Sequence, residues 1–496
     1  MSRKKRLLVI WCITIFVAVI MSLLAMQRHH SFTTSTYDLG IEASVAWNTA
    51  HGRWFYDSTR EINYLGDHFS PVYLLFAPIV WFVQPAIALL LIPSIAIACS
   101  LPPLALLAYR YCHSKIIVML ILIVFLCCPY LTYVNTYDFH PSALAIPLLL
   151  WIMYFFESKR WLFFTAGVIL CFLLKEDIPF AIAGIGLYYI LQGRQKLLSL
   201  SLIVISAAVF LGITMKIMPA FNDDFHGHLE RYSHFGPILT DILKNTVFNH
   251  GKTIEIFSQD SRRLTTVFQV FKASGFFLFF APAAVVAVMP SLLMHIMSNY
   301  PPQICLSHHY SASIIPFIFL GICAGIRQVR LILRKCRVLW MLQKVFFVGV
   351  LAAVIVTSLR TLPRYVAFKN HGTIAAGHAV LAQIPPDAAV AAAHYYVPHL
   401  IARRNIKALM PPVEQAASEA EYIVIDTCDS SLYPFSDKNF LLKNIKWLLL
   451  DSDFGLSYRC GSVILLKRDA DRSTNEQLLS EICEHSCWKD CSESIK

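Results

Sequence analysis

Long apolar runs separated by short polar segments make up most of the first 360 residues. Runs near 20 residues match the hydrocarbon thickness of a bilayer, so this pattern predicts transmembrane helices. The first run, Leu7–Met26, follows a basic head, and it is longer than the apolar core of a signal peptide, so we expect an uncleaved span. Ten further runs are predicted to span: Ala86–Tyr109, Ile116–Val134, Ser142–Phe156, Trp161–Leu174, Ile178–Leu191, Leu197–Met218, Leu264–Phe280, Ala283–Met297, Ser311–Ile326 and Val345–Leu359.

One apolar run, Pro71–Val83, is too short to cross a bilayer and is predicted to be re-entrant or interfacial. The alternative, a short true span, would invert the topology of everything after it. With this run left out, the strongly basic short loops fall on one side and the loops that carry histidines and carboxylates fall on the other. Positively charged loops face the cytoplasm, so the pattern predicts about eleven spans, a cytoplasmic N-terminus and an extracytoplasmic C-terminus.

Beyond Arg360 the pattern changes to that of a water-soluble domain. Ala388–Ala393 and Tyr422–Asp426 have the composition of buried strands, and two short runs around Gly461 favour a hairpin. The predicted fold is an all-α polytopic membrane domain over residues 1–360, with outer loops 27–70 and 219–263, plus a small α/β extracytoplasmic domain over 361–470. Residues 471–496 form a tail that contains cysteines.

Composition agrees with a membrane protein. The chain of 496 residues is 57% hydrophobic and 15% charged, whereas roughly 45–50% apolar is usual for soluble domains. The net charge of +11 is accounted for by basic cytoplasmic loops, so it does not indicate nucleic-acid binding. The sequence contains no phosphate-binding or dinucleotide-binding glycine pattern, which argues against a nucleotide-hydrolysing pump.

The polar segment Thr36–Pro71 mixes carboxylates with aromatic residues next to the membrane, which favours a site for a polar substrate attached to a lipid. The predicted topology brings four outer segments to the same membrane face. These segments contain Asp38 with Asp67-His68, Asp138 with His140, Lys175-Glu176-Asp177, and His308-His309-Tyr310.

Several of these residues also have a purely structural explanation. Asp38 fits a helix N-cap before Leu39–Ala50, and His68 and His140 could satisfy loop carbonyls. Ionisable groups near the membrane core are costly, so Lys175-Glu176-Asp177 either caps short helices as self-paired charges or lines a water-filled cavity.

Metal binding and disulfides are further alternatives for two groups of residues. His226, His228 and His234 could bind a metal with Asp223 and Asp224, although their loose spacing favours a solvated loop. The cysteines within spans are expected to be packing residues. In an oxidising compartment, disulfides are the expected state of the C-terminal cysteines, which are Cys428, Cys460, Cys483, Cys487 and Cys491.

The motifs as a set resemble a bacterial family of multi-spanning membrane proteins described as a domain of unknown function and related to the glycosyltransferase-C superfamily. The resemblance covers about residues 35–470. The matching stretches are Tyr37-Asp38-Leu39-Gly40 through Trp47 and Gly52, Leu65-Gly66-Asp67-His68-Phe69-Ser70-Pro71, Asp138-Phe139-His140-Pro141, Lys175-Glu176-Asp177, Arg231-Tyr232, His309-Tyr310, Pro316, Pro398-His399-Leu400, Arg403-Arg404 and Tyr422-Ile423-Val424-Ile425-Asp426.

This resemblance implies an enzyme of the bacterial inner membrane that transfers a sugar from a polyprenyl-phosphate donor. Asp38 would be the general base on the acceptor hydroxyl, and Lys175, Arg231 and His309 would be the cations that neutralise the leaving phosphate. Trp47 would stack on a sugar face. The candidate substrate-binding residues are Trp47, Asp67, His68, Asp138, His140, Lys175, Glu176, Asp177, Arg231, His309 and Tyr310.

The chain departs from the resembled pattern in two places: Glu42 replaces an expected aromatic residue, and no paired-carboxylate metal motif is evident. A divalent metal therefore remains an open alternative to a reaction without cofactors. The expected partners are a lipid-linked sugar donor and membrane lipids. Two other functions stay open, namely a transporter or flippase that uses Lys175-Glu176-Asp177 as a relay, and a non-catalytic membrane scaffold that presents the C-terminal domain.

Overall fold

The computed structural model describes residues 3–222, 228–334, 337–360, 371–428 and 438–484. Most of them are helical. The helices are Arg3–His30, Ile41–Ala50, Tyr73–Val80, Pro85–Ala98, Leu101–Cys112, Lys115–Leu126, Pro129–Thr136, Ala145–Glu157, Trp161–Phe172, Ile178–Leu191, Lys196–Gly212, Leu239–Phe248, His250–Gln259, Ser261–Ala273, Pro282–Ile296, Pro301–Ile304, Ile315–Leu333, Arg337–Leu359, His371–Leu381, Val397–Leu400, Val413–Ser418, Lys438–Lys446 and Asn475–Glu484.

The described residues divide into two compact units that interleave along the chain. Unit 1 takes its residues from 1–24, 63–72 and 91–366, and unit 2 takes its residues from 25–62, 73–90 and 367–496. Unit 1 contains most of the apolar helices. Unit 2 contains a sheet together with two segments from the N-terminal part of the chain.

Four helical stretches in the described part of the chain are long and apolar enough to cross a membrane, when consecutive helical segments are joined: Leu7–His30, Pro85–Cys112, Lys196–Phe221 and Ile315–Leu333. A fifth candidate is the pair Lys115–Leu126 and Pro129–Thr136, which is bent by 44°. The prediction of eleven spans is therefore not confirmed. Five further apolar helices have 10–17 residues, and at 1.5 Å per residue most of them fall well short of the hydrocarbon thickness of about 30 Å.

The prediction of a span over Leu264–Phe280 is wrong, because this stretch is not one continuous apolar helix. Its first part belongs to the amphipathic helix Ser261–Ala273, which carries Arg262, Arg263 and Lys272. The run Pro71–Val83 contains only the eight-residue helix Tyr73–Val80, which is too short to span.

Small residues let the helices of unit 1 approach closely. A side chain at Gly184 would overlap the backbone oxygen of Ala287 on the neighbouring helix, and one at Gly325 would overlap the backbone oxygen of Phe277. Close backbone approach at glycine is typical of helix pairs in membranes. This packing buries the helix Ile178–Leu191, whose N-terminal end follows the candidate residues 175–177.

The sheet of unit 2 confirms the predicted α/β character of the C-terminal part. A short two-stranded sheet comes first in the chain and consists of β1 Tyr56–Asp57 and β2 Ile62–Asn63. The sheet of the C-terminal part consists of β3 Val390–Ala392, β4 Ile406–Ala408, β5 Tyr422–Asp426, β6 Phe454–Cys460 and β7 Val463–Arg468. The five-stranded sheet has the order β4-β3-β5-β7-β6. Strand β3 pairs in parallel with β4 and β5, and β7 pairs antiparallel with β5 and β6. The predicted hairpin around Gly461 is the β6–β7 pair.

The expectation of disulfides holds for one of the described C-terminal cysteines. Cys428 is disulfide-bonded. Cys460 and Cys483 carry free thiols, so the expectation was wrong for these two residues. Cys487 and Cys491 lie outside the described residues.

Candidate active site

The pair formed by His68 and Glu176 is the first element of the site in unit 1. Ring nitrogen Nδ1 of His68 lies 2.9 Å from Oε1 of Glu176, and the backbone N–H of Phe69 donates to Oε2 at 3.1 Å. The N–H of Val72 also donates to the carbonyl of Leu173 at 3.0 Å, so residues 68–72 run beside 173–176. Because a carboxylate only accepts hydrogen bonds, Nδ1 of His68 carries the proton and Nε2 keeps its lone pair.

A tight turn places His68 in this position. The backbone N–H groups of Asp67 and His68 both donate to the carbonyl of Tyr64, at 3.0 and 2.8 Å. Gly66 in this turn lies against the chain at Phe221, and a Cβ there would come within 2.7 Å of the Asn222 side chain. The motif Gly66-Asp67-His68 therefore needs glycine because two backbone segments meet at this point.

Burial and the neighbouring charges set the protonation states of this pair. Burial opposes ionisation of Glu176, but His68, Lys175 and His228 outweigh it and lower the pKa of Glu176 to about 2. Burial, assisted by Lys175, lowers the pKa of His68 to about 4 against the opposing effect of Glu176 and Asp67. At neutral pH the pair is therefore a carboxylate that accepts a hydrogen bond from a neutral imidazole.

Lys175 is a buried cation that has no anionic partner in contact. The residue is 5% exposed, and its side-chain ammonium forms no ion pair or hydrogen bond with the described residues. Its Nζ lies 5.7 Å from the centre of the Tyr310 ring. Burial would lower the pKa of Lys175, but the negative charges of Glu176 and Asp177 outweigh it and raise that pKa above its ordinary value. Lys175 therefore stays charged.

Arg231 supplies a second cation beside the same tyrosine. Its Nη1 donates to Oε1 of Gln303 at 3.2 Å and approaches the Tyr310 hydroxyl at 3.5 Å, and its guanidinium lies 4.6 Å above the Tyr300 ring. Within the described part of the chain it forms no ion pair. The two cations are thus held by neutral groups, which leaves their charge available to an anion.

The two remaining candidate carboxylates of unit 1, Asp177 and Asp138, differ in environment. Asp177 precedes the helix Ile178–Leu191 without capping it through its side chain. Burial, with Glu176, raises the pKa of Asp177 to about 6 although Lys175 opposes that shift. Asp138 is 5% exposed and adopts a left-handed backbone conformation with φ 58°, which aspartate tolerates better than most residues.

Two histidines from distant segments stack in the same unit. The rings of His140 and His309 are 3.5 Å apart between centroids and nearly parallel, and Tyr137 and Tyr310 flank His309 at 5.1 and 4.0 Å. Burial, with His140 and Lys175, lowers the pKa of His309 well below its ordinary value. In the free protein the ring of His309 is therefore neutral, whereas the resemblance implies that His309 acts as a cation in the reaction.

The residues that could hold a metal differ from those expected. Asp67, His68 and His228 each offer one ligand atom, and these atoms lie within 4.8 Å of one another. The rings of His68 and His228 stack at 4.8 Å, and Nε2 of His228 is 3.5 Å from Oδ1 of Asp67. Glu176 fixes the His68 ring through Nδ1, as a carboxylate behind a histidine ligand commonly does in metal sites. Of the expected set, Asp223, Asp224 and His226 lie outside the described residues, and His234 does not belong to this group.

The candidate residues Asp38 and Trp47 belong to unit 2. Asp38 lies inside a π-helical turn, Thr36–Gly40, whose N-cap is Ser35, so the expectation of an N-cap role for Asp38 is wrong. The Ser35 hydroxyl lies 3.5 Å from Oδ2 of Asp38. The turn is fixed by the Thr36 hydroxyl, which donates to the carbonyl of His394 at 2.6 Å. The Trp47 ring stacks on His51 at 4.2 Å.

The structure adds residues that the motifs did not single out. Gln303 bridges Arg231 and Tyr232, because its amide nitrogen donates to the Tyr232 hydroxyl at 2.9 Å while its oxygen accepts from Arg231. Tyr300 packs under the same arginine. Both lie between the predicted spans Ala283–Met297 and Ser311–Ile326. Because they are neutral residues, nothing in the sequence beyond that position indicated a role for them.

Comparisons with known proteins give one family match and a distant structural likeness. A family described as "Predicted membrane protein (DUF2079)" matches residues 28–454. Among the curated proteins, none matches the chain. Two solved structures of ArnT from Cupriavidus metallidurans, one in the apo state and one bound to undecaprenyl phosphate, are each 12% identical with a TM-score of 0.49. They cover 91% of this chain and 96% and 97% of their own chains.

Proposed function

The chain belongs to the family of predicted membrane proteins described as DUF2079, and from that premise we propose that it is a glycosyltransferase. Its donor would be a sugar linked to a polyprenyl phosphate, used at the outer face of a bacterial inner membrane. The resemblance of the motifs to glycosyltransferase-C enzymes supports this function. The observation that carries it is Lys175, a buried and charged ammonium without an anionic partner in contact among the described residues.

A buried cation is costly unless an opposite charge compensates it. Glu176 does not compensate Lys175 by contact, because both of its oxygens are engaged by His68 and Phe69. Arg231 lies beside the same tyrosine and also lacks an ion pair in the described structure. A ligand with a phosphate group would satisfy both cations at once, since ammonium and guanidinium groups bind phosphate oxygens strongly.

The proposed reaction uses these cations to stabilise the leaving group. A hydroxyl of the acceptor attacks the anomeric carbon of the sugar, and the bond from that carbon to the phosphate oxygen breaks. The electron pair stays on the phosphate, where Lys175 and Arg231 neutralise the charge that develops. By the resemblance, Asp38 takes the proton of the acceptor hydroxyl as general base.

A divalent cation is part of the proposal as a second source of positive charge. Two histidines and one carboxylate suit zinc or manganese, and Nε2 of His68 keeps a lone pair for such an ion. Asp67, His68 and His228 would hold it, with Glu176 orienting His68. When bound, the ion would supply charge to the phosphate region.

A complementation experiment tests the proposal. Cells that lack the gene are complemented with the wild-type chain, with Asp38→Asn or with Lys175→Met, and their lipid-linked and surface glycans are compared by mass spectrometry. We expect one glycan substituent to disappear in the deletion strain, to return with the wild type, and to stay absent with either variant at equal expression. Unchanged glycans in the deletion strain would refute a glycosyltransferase function under those conditions. Restoration by Asp38→Asn alone would remove only Asp38 from the mechanism.

A further inference from the structure

His309 is a buried polar side chain whose hydrogen-bonding capacity is unused. The residue is 5% exposed, and neither ring nitrogen has a hydrogen-bond partner among the described residues. Its contacts are ring faces, namely His140 at 3.5 Å, Tyr310 at 4.0 Å and Tyr137 at 5.1 Å. Leaving a buried polar group unsatisfied costs about 1–3 kcal/mol, so such a group in a binding region indicates a ligand that completes it.

The charged and titratable groups around His309 come from four segments. Tyr137 and His140 belong to the first, His68 to the second and Lys175 to the third, and His308 and Tyr310 are its own neighbours. Tyr310 links the ring to both cations, because its ring lies near Lys175 and its hydroxyl near Arg231. An anion bound by these cations would therefore lie close to a neutral imidazole.

The proposed function supplies two phosphate ligands that differ in charge. The donor is a phosphodiester with one negative charge. The product left after sugar transfer is a phosphomonoester, whose second pKa of about 6 gives it two negative charges at mildly alkaline pH. In the free protein Lys175 interacts at longer range with Glu176 and Asp177, and Arg231 interacts with Asp177. A dianionic product therefore needs more positive charge at this site than the monoanionic donor does.

We propose that His309 binds a proton when the phosphomonoester product occupies the site, and that it remains neutral with the phosphodiester donor. This inference rests on the proposed function and deepens it. A protonated His309 would give the monoester a third cation and would use a ring nitrogen that has no hydrogen-bond partner among the residues that the structure describes. Proton uptake would thereby distinguish the product from the donor at one side chain.

Isothermal titration calorimetry on the full chain in detergent micelles tests this coupling. The ligands are farnesyl phosphate, a short prenyl phosphomonoester, and its methyl diester. Titrations at about pH 8, where the free monoester is a dianion, are repeated in buffers of different ionisation enthalpy. The slope of the observed enthalpy against the buffer enthalpy gives the number of protons taken up. We expect about one proton for the monoester and close to none for the diester.

Variants assign the proton to a residue. His309→Phe keeps the stacked ring but cannot bind a proton, and His309→Gln keeps a hydrogen-bonding group without the ring, so both should abolish the uptake. His250→Gln is the control, because His250 is an exposed histidine that is not among the groups around His309, and this variant should leave the uptake unchanged. The rival site is Asp177, whose pKa is already raised to about 6. Uptake that survives in both His309 variants and disappears in Asp177→Asn would overturn the assignment.

The remaining outcomes separate this inference from the proposed function. If the wild type binds the monoester without taking up a proton, or takes up the same number with the diester, the inference fails and phosphate binding stands. If neither ligand binds, both the inference and the phosphate site of the proposed function are refuted.

Discussion

Replacing Glu176 by glutamine tests the electrostatic account of the site without changing its volume. The carboxylate accepts one hydrogen bond on each oxygen, from the His68 ring and from the Phe69 backbone. Glutamine keeps one acceptor oxygen and places an NH₂ group where the second acceptor was. A hydrogen bond to a charged acceptor is worth about 1.5–3 kcal/mol, and the lowering of the Glu176 pKa from 4.5 to about 2 corresponds to roughly 3 kcal/mol. We expect Glu176→Gln to lose about 2–3 kcal/mol of stability.

The assay is thermal unfolding of the full chain in detergent micelles, recorded between pH 3 and pH 8. At about 2.1 cal/mol/K of unfolding entropy per residue, the predicted loss lowers the Tm of this 496-residue chain by about 2–3 °C. Because the folded pKa of Glu176 lies below its ordinary value, its stabilisation is present above about pH 4.5 and is lost as pH falls toward 2. The Tm difference between wild type and variant should therefore be constant from pH 6 to pH 8 and shrink only in acid.

The matched control is Glu255→Gln, because Glu255 is an exposed carboxylate that contacts the side chain of Gln259. A change within about 0.5 kcal/mol is expected for it. Equal Tm values for Glu176→Gln and wild type would refute the account of the buried pair. So would a difference that already vanishes between pH 7 and pH 5, because the folded-state pKa of Glu176 would then be raised instead of lowered.

Three further predictions concern packing, metal binding and thiols. Gly184→Ala should destabilise the chain by about 1–3 kcal/mol, because its methyl group would overlap a facing carbonyl oxygen, whereas Gly212→Ala, with open space around it, should have little effect on Tm. Zn²⁺ at 100 times its Kd should stabilise the wild type by about 2.7 kcal/mol, and His228→Gln should abolish that effect; stabilisation that persists in the variant would refute the site. Under denaturing conditions, maleimide should label Cys460 without a reductant but Cys428 only after reduction, as mass spectrometry of the labelled peptides would show.

The parts of the fold that could be predicted depend on local pattern. The helix Ile178–Leu191 and strand β5 have the predicted bounds, because a continuous apolar run between polar residues defines each of them. The number of spans could not be predicted with the same certainty. Prolines and polar residues divide several apolar runs into helices of 10–17 residues, and the sequence does not show how such helices lie in a membrane.

The candidate site shows the same limit at the level of side chains. The motifs identified His68, Lys175 and Glu176. The sequence does not indicate that Glu176 binds His68, which lies 108 positions away, while the Lys175 ammonium contacts no anion in the described part of the chain. The charge of His309 could not be predicted either. It depends on burial and on the stacked ring of His140, both of which arise only when distant segments pack together.

Binding of a polyprenyl phosphate to the purified chain and to Lys175→Met tests most directly whether Lys175 holds the phosphate. The account assigns the phosphate to a buried lysine that has no other anionic contact among the described residues, so the variant should bind at least about tenfold more weakly, a loss of about 1.4 kcal/mol. Lys244→Met, which removes an exposed cation of the same unit, should bind like the wild type. Equal affinity of wild type and Lys175→Met would contradict the account.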